Sequence, residues 1–230
     1  MKHYISIGVD YQKDFTEGGA LGVDGGNKAV EAYLELIGHK VEDGDKGLVS
    51  FIKEVILTKD AHPADHCSFK HVNPDSGLWP WHCVEHTEGS AICDPIIKTI
   101  AMNGIQYGVV GKGQRKNEEN YTAFRFVFSN QDLYSYSLAP DFKPSGNLLE
   151  FLRDPNSDED EFDEVIISGI AGDYCVLETV KAMIDMDPII YLPGVASIDG
   201  GKALNDYIAS HDLRVMGKDF VIERYSKTVA

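Results

Sequence analysis

The chain is poor in cysteine, in positive charge and in long apolar runs, and each shortage excludes something. Four cysteines in 230 residues (Cys67, Cys83, Cys93 and Cys175) do not make a disulfide framework. In a reducing compartment they are thiols, so a functional one is a nucleophile or a ligand. Lysine and arginine number 21 against 37 acids, a formal net charge of -16. Such a surface repels phosphate backbones and anionic headgroups, which argues against nucleic-acid and membrane-surface partners. No apolar run approaches the ~20 residues that span a bilayer. Asp10 and Asp14 fall where a signal peptide would carry its apolar stretch and cleavage site. The expectation is a soluble, cytoplasmic protein. With 43% hydrophobic residues it can bury one substantial core, so residues 1–230 are read as a single domain.

Five short β-branched runs are nearly continuous in apolar residues: Tyr4–Asp10, Glu54–Asp60, Gln106–Lys112, Glu164–Ile170 and Ile189–Leu192. Continuous rather than alternating runs suit strands covered on both faces, as in a parallel sheet. Helical spacing lies between them. Val30, Tyr33, Leu34 and Ile37 form a stripe over Asn27–Ile37; Val176, Val180, Met183 and Ile184 form one over Asp173–Met186; Leu204, Tyr207 and Ile208 form one over Lys202–Leu213. Strand alternating with helix gives an α/β fold with helices on both faces of the sheet. The run Asp154–Glu164 carries seven acids and one proline and reads as a solvated, mobile loop.

Asp10, Asp60 and Lys112 each end a predicted strand, and Cys175 follows the end of another. In open α/β sheets the ligand crevice lies outside those ends. Any one of these residues alone reads as a turn residue, but four polar groups from four strands on one edge read as an active site. Cys175 enters a helix after a small-residue turn, where unpaired N–H groups and the helix dipole favour the thiolate. The plain alternative is a small buried hydrophobe. A cysteine nucleophile needs a base, for which histidine and Asp10 are both candidates. Beside Asp10, Lys112 would hold the carboxylate ionised and balance negative charge.

The stretch DAHPADHCSF (Asp60–Phe69) and the run WPWHC (Trp79–Cys83) hold Asp60, His62, His66 and His82. One carboxylate and two imidazoles form a first shell for a divalent transition metal with open positions. His66 is either a further ligand, a group behind the ligands, or neither. The alternative is a loop whose histidines bond to backbone. Both tryptophans, Trp79 and Trp81, lie within three residues of His82 and suggest an aromatic wall for a flat ligand, or packing residues.

With these residues assembled, the chain resembles the isochorismatase-like cysteine hydrolases, and within them the nicotinamidases. The match is ordered along nearly the whole chain: VDYQKDF (Val9–Phe15), GGAL (Gly18–Leu21), DAHPADHCSF, WPWHCVEHTEGS (Trp79–Ser90), GKGQRKNEENYTAF (Gly111–Phe124) and GIAGDYCVLET (Gly169–Thr179). The first and last are shared across the superfamily, whereas the two histidine-bearing stretches are specific to nicotinamidases.

The resemblance implies a three-layer α/β/α fold around a mostly parallel six-stranded sheet, and hydrolysis of nicotinamide to nicotinate and ammonia through a cysteine thioester. It implies an Asp10–Lys112–Cys175 triad, and metal ligands Asp60, His62 and His82 with His66 a frequent addition. It also implies a cis peptide at Ile170–Ala171 that aims the N–H groups of Ala171 and Cys175 at an oxyanion. Phe15, Trp79 and Tyr121 correspond to aromatics that sandwich the pyridine ring. Zinc is the first choice of metal, with iron and manganese as alternatives. Pyrazinamide is a plausible second substrate, and a homo-oligomer is compatible with the family. Two positions and two loops depart from it. Gly172 stands where threonine is usual, which loosens the turn before Cys175; His86 stands where glycine is common; the Gln114–Asn120 loop is charged; and the acidic insert Asp154–Glu164 is longer than typical. Three other readings stay open: a metal–water hydrolase with a structural Cys175, another isochorismatase-like hydrolase, and a metal-dependent binding module.

Overall fold

The structure, a computed structural model, describes residues 4–44, 47–124, 164–219 and 222–224. All five expected strands are present. They are β1 (Tyr4–Val9), β4 (Ile52–Asp60), β5 (Gln106–Lys112), β6 (Glu164–Ile170) and β7 (Ile189–Ala196). Together with β8 (Arg214–Met216) and β9 (Ile222–Arg224) they form one sheet in the order β5-β4-β1-β6-β7-β8-β9. The first six in that order are parallel, and β9 pairs antiparallel with β8. The six-stranded parallel sheet is therefore as expected, with a seventh strand of three residues added at one edge. A small separate hairpin joins β2 (Lys40–Glu42) to β3 (Leu48–Ser50).

Residues of β1, β4 and β6 are buried almost throughout, which explains their lack of alternation. One face of the sheet is covered by α1 (Gly26–Gly38) and α2 (Asp94–Asn103) through Tyr33, Leu36, Ile37, Ile96 and Ile100. The other is covered by α3 (Leu177–Ala182) and α4 (Lys202–His211) through Val180, Leu204 and Ile208. Helix α2 was not read from the sequence, although Pro95 in its first turn and Gly104 at its end, with φ 63°, are the usual punctuation. The helix expected over Asp173–Met186 is broken into a wide π turn (Gly172–Val176), α3 and a short 3-10 turn (Ile184–Met186). The last expected helix stops at His211 because Asp212 turns left-handed, with φ 52°.

Chain order reverses across β1, whose neighbours are β4 and β6. That places the crevice of the sheet outside the C-terminal ends of β1, β4, β5 and β6. All but the last residue of the acidic run Asp154–Glu164 lies outside the described residues. Among the described residues no helix is long and apolar enough to cross a membrane.

Candidate active site

Parallel pairing of β4 with β5 puts Asp60 directly beside Lys112. Lys112 Nζ lies 2.5 Å from Asp60 Oδ1 and 2.8 Å from Asp10 Oδ2. Asp10 follows β1 with φ 51°, a left-handed turn that aspartate tolerates better than most residues. Its second oxygen accepts a hydrogen bond from Thr58 Oγ1 at 2.6 Å. All four side chains are buried. Burial alone would neutralise Lys112, but the two carboxylates outweigh it and raise the ammonium well above the usual lysine range. Burial also opposes the charge on Asp60; Lys112 and His62 overcome it and hold that carboxyl below its usual range. At Asp10 burial wins over Lys112, and the negative charge of Asp60 adds to it, so its pKa is raised. The ion cluster therefore contains one firmly ionised acid and one whose proton affinity is increased.

Cys175 reaches this cluster from the π turn after β6. Its Sγ lies 3.4 Å from Lys112 Nζ, and Sγ and the carboxylates of Asp10 and Asp60 are within 4.8 Å of one another. The helix-terminus argument for a resting thiolate does not hold here. Burial pushes the thiol well up, and Asp10 and Asp60 add to it against the opposing pull of Lys112. The group rests as a thiol beside a carboxylate of raised basicity. The Ile170–Ala171 peptide is cis, as the resemblance implied. Gly172 does not loosen the turn. A Cβ there would stand 2.0 Å from Ser197 Oγ and 2.7 Å from Val195 Cγ1, so the glycine is what lets β7 close over this segment.

His62 Nδ1 is bonded to the Gly113 carbonyl at 2.9 Å, and His82 Nδ1 to the Pro80 carbonyl at 2.8 Å. A carbonyl only accepts, so each Nδ1 carries a proton, and Nε2 is the nitrogen of each ring that would donate to a metal ion. His62 Nε2 lies 3.6 Å from Asp60 Oδ2, and Asp60, His62 and His82 place one donor atom each within 4.8 Å. Backbone carbonyls behind metal-binding histidines fix just this tautomer, so the donor set fits a divalent metal ion. Gly113, at φ 69°, allows the close approach, because a Cβ there would stand 2.5 Å from the His62 ring. His66 is not brought into this set. Its ring stacks on His62 at 4.2 Å, and its nitrogens bond Ser68 Oγ at 2.7 Å and the Glu118 carbonyl at 3.0 Å.

Asp60, His62, His82 and Cys175 face a cavity of about 320 Å³ lined also by Phe15, Trp79, Tyr121, Ala171, Tyr174 and Glu119. The three aromatics expected from the sequence are all there. Trp79 Nε1 donates to Tyr121 Oη at 3.3 Å, and its ring meets Tyr174 edge-on at 4.9 Å. Trp81 is not part of the wall: it is 45% exposed and faces solvent. Of the four cysteines only Cys175 lines this cavity.

No protein-family model matches the chain. It is 34% identical over 184 residues to the nicotinamidase of Escherichia coli, an alignment covering 75% of this chain and 72% of that protein. The chain belongs to the nicotinamidase family. Its fold is also that of two solved structures: pyrazinamidase of Pyrococcus horikoshii in complex with zinc (TM-score 0.63, 22% identity, 93% of this chain and 98% of that one). The second is PnC1 from L. infantum in complex with nicotinate (TM-score 0.67, 20% identity, 95% and 94%).

Several residues that build the site were not singled out from the sequence. Gln12, in the first motif, is fully buried and grips the backbone of Asp60. Asp14 Oδ2 accepts the Cys83 N–H at 2.7 Å, and the Cys83 carbonyl in turn accepts the His62 N–H at 3.1 Å. Asp14 thus ties the loop carrying His82 to the one carrying His62. Tyr174 and Glu119 line the cavity without having been singled out. The only signal for any of them was membership of the quoted motifs, since a buried tether and a solvated polar residue look alike in sequence. His86, where glycine is common, has φ 66°, the backbone that makes glycine the usual choice.

Proposed function

We propose that this chain hydrolyses nicotinamide to nicotinate and ammonia, with Cys175 as nucleophile, Asp10 as general base and acid, and Lys112 as the balancing cation. The observation that carries the reading is the single ammonium of Lys112 in reach of Asp10, Asp60 and Cys175, the last two of which line an aromatic cavity. Asp60, His62 and His82 would hold a divalent ion, zinc first, which when bound supplies a Lewis-acidic anchor for the substrate. Phe15, Trp79 and Tyr121 hold the pyridine ring, and their apolar surface excludes bulk water.

Asp10 accepts the Cys175 proton as Sγ bonds to the carboxamide carbon. The raised pKa of Asp10 suits that task, and Lys112 stabilises the sulfur while charge develops. The N–H groups of Ala171 and Cys175 donate to the oxyanion. Asp10 then gives the proton to the departing nitrogen, which leaves as ammonia, and the acyl group stays on Sγ as a thioester. Water loses a proton to Asp10 and adds to the same carbon. Collapse breaks the C–S bond and releases nicotinate, and Sγ takes the proton back from Asp10. Pyrazinamide, with the same carboxamide on a flat ring, is expected to follow this route.

The deciding experiment measures ammonia released from nicotinamide. Cys175→Ala is expected to abolish release while metal content stays normal, and a thiol alkylator is expected to add its mass to Cys175 unless nicotinamide protects it. An active Cys175→Ala protein would overturn the mechanism in favour of direct attack by metal-activated water.

A further inference from the structure

Glu119 stands in the wall between two cavities. The active-site cavity and a second one of about 590 Å³ share Trp79, Glu119 and Tyr121 in their linings, and the second is otherwise rich in short polar side chains such as Ser68 and Ser76. A Glu119 carboxylate oxygen lies within 4.8 Å of ring nitrogens of His62 and His66. Its Oε1 accepts the Asn120 N–H at 2.9 Å, which keeps the group local. The charge is felt on both sides of the wall. Burial is the larger cause of the raised proton affinity at Tyr121 and at Cys67, and Glu119 adds to it at each.

The proposed reaction turns a neutral amide into a carboxylate in the same cavity. With a divalent ion on Asp60, His62 and His82, that ion and Lys112 outweigh Asp10 and Asp60 by one positive charge. An anionic product would be held there. Glu119 cancels the excess from the wall that it lines.

We propose that Glu119 is the charge-discriminating residue of this site: it admits the neutral amide and disfavours the carboxylate, so that product leaves. The inference rests on the nicotinamide reading and deepens it. At a separation of several ångströms and an effective dielectric of ~20, one such charge is worth about tenfold in affinity after screening.

The test uses metal-loaded Cys175→Ala protein, so that nicotinamide binds without turning over, and measures nicotinamide and nicotinate binding by calorimetry. Glu119→Gln is expected to raise the nicotinate-to-nicotinamide affinity ratio about tenfold, with the gain shrinking as salt is added. Glu119→Asp, which keeps the charge, is expected to stay near the parent ratio. A ratio unchanged by Glu119→Gln overturns this inference alone. Binding of neither ligand overturns the nicotinamide reading and this inference together.

Discussion

The side-chain amide of Gln12 holds both backbone groups of Asp60. Gln12 Oε1 accepts the Asp60 N–H at 2.7 Å, and Gln12 Nε2 donates to the Asp60 carbonyl at 2.8 Å and to the Ser90 carbonyl at 2.9 Å. One buried amide therefore joins β1, the end of β4 and the segment before α2. It fixes the residue shared by the metal ligands and the Lys112 ion pair. Gln12→Ala leaves the Asp60 N–H buried and unpaired, at a cost of about 1–3 kcal/mol. Zinc retention is expected to weaken by about 10- to 100-fold, as for other groups that orient metal ligands. Competition with a coloured chelator measures this, and retention equal to the parent would show that Asp60 does not depend on the tether.

Thr58 tempers the basicity of Asp10. Burial is the larger influence and raises the pKa, and the Thr58 hydroxyl, donating at 2.6 Å, opposes it. Thr58→Val keeps the shape and removes the donor. The pKa of Asp10 is expected to rise further, because a hydrogen bond that favours the ionised form is lost. The acid limb of the pH profile of kcat/KM should move to higher pH with it, because Asp10 must be ionised to accept the thiol proton. An unmoved limb would mean that another group controls it.

Gly172 is held to a glycine by its neighbours on β7 and just beyond it. Gly172→Ala is expected to lower stability by about 1–3 kcal/mol through overpacking against Ser197 and Val195. Ser197→Ala should recover part of the loss, since it removes the closest atom. Denaturant unfolding of the two single variants and the double variant gives the interaction directly. Strict additivity would contradict the contact.

Buried tyrosines predict a loss of stability at high pH. Burial raises Tyr11 well above its ordinary pKa of 10.0, with Tyr33 raised too, and pushes Tyr191 up to about 12. Below pH 10 both the folded and unfolded chains keep these protons, so stability does not depend on them. Above it the unfolded chain releases protons that the folded chain retains, and each tyrosine removes ~1.4 kcal/mol per pH unit up to its folded pKa. The midpoint of thermal unfolding should fall above pH 10, with tyrosinate absorbance rising on unfolding. Appearance of the full tyrosinate signal while the fold is intact would refute it.

How far the sequence alone reaches is visible in single residues. Asp10, Asp60 and Lys112 could be placed on one edge because continuous apolar runs mark doubly covered strands, and such strands deliver their last residues to a common crevice. Asp60, His62 and His82 could be singled out as a donor set from residue type, against the alternative of loop histidines bonded to backbone; the fold brings one donor atom of each within 4.8 Å. Tertiary structure decided what depends on atoms approaching from elsewhere in the chain. The Cys175 thiol is pushed up rather than down in pKa, because it is buried and Asp10 and Asp60 add their charge against the pull of Lys112. Gly172 is crowded rather than loose, because Ser197 arrives from beyond β7. His66 bonds Ser68 and Glu118 instead of joining Asp60, Trp81 faces water while Trp79 lines the cavity, and Gln12 is a tether. Residue type and spacing select the chemistry that a chain can perform, but proton affinities, close contacts and the facing of a ring are sums over neighbours that only the folded chain brings together.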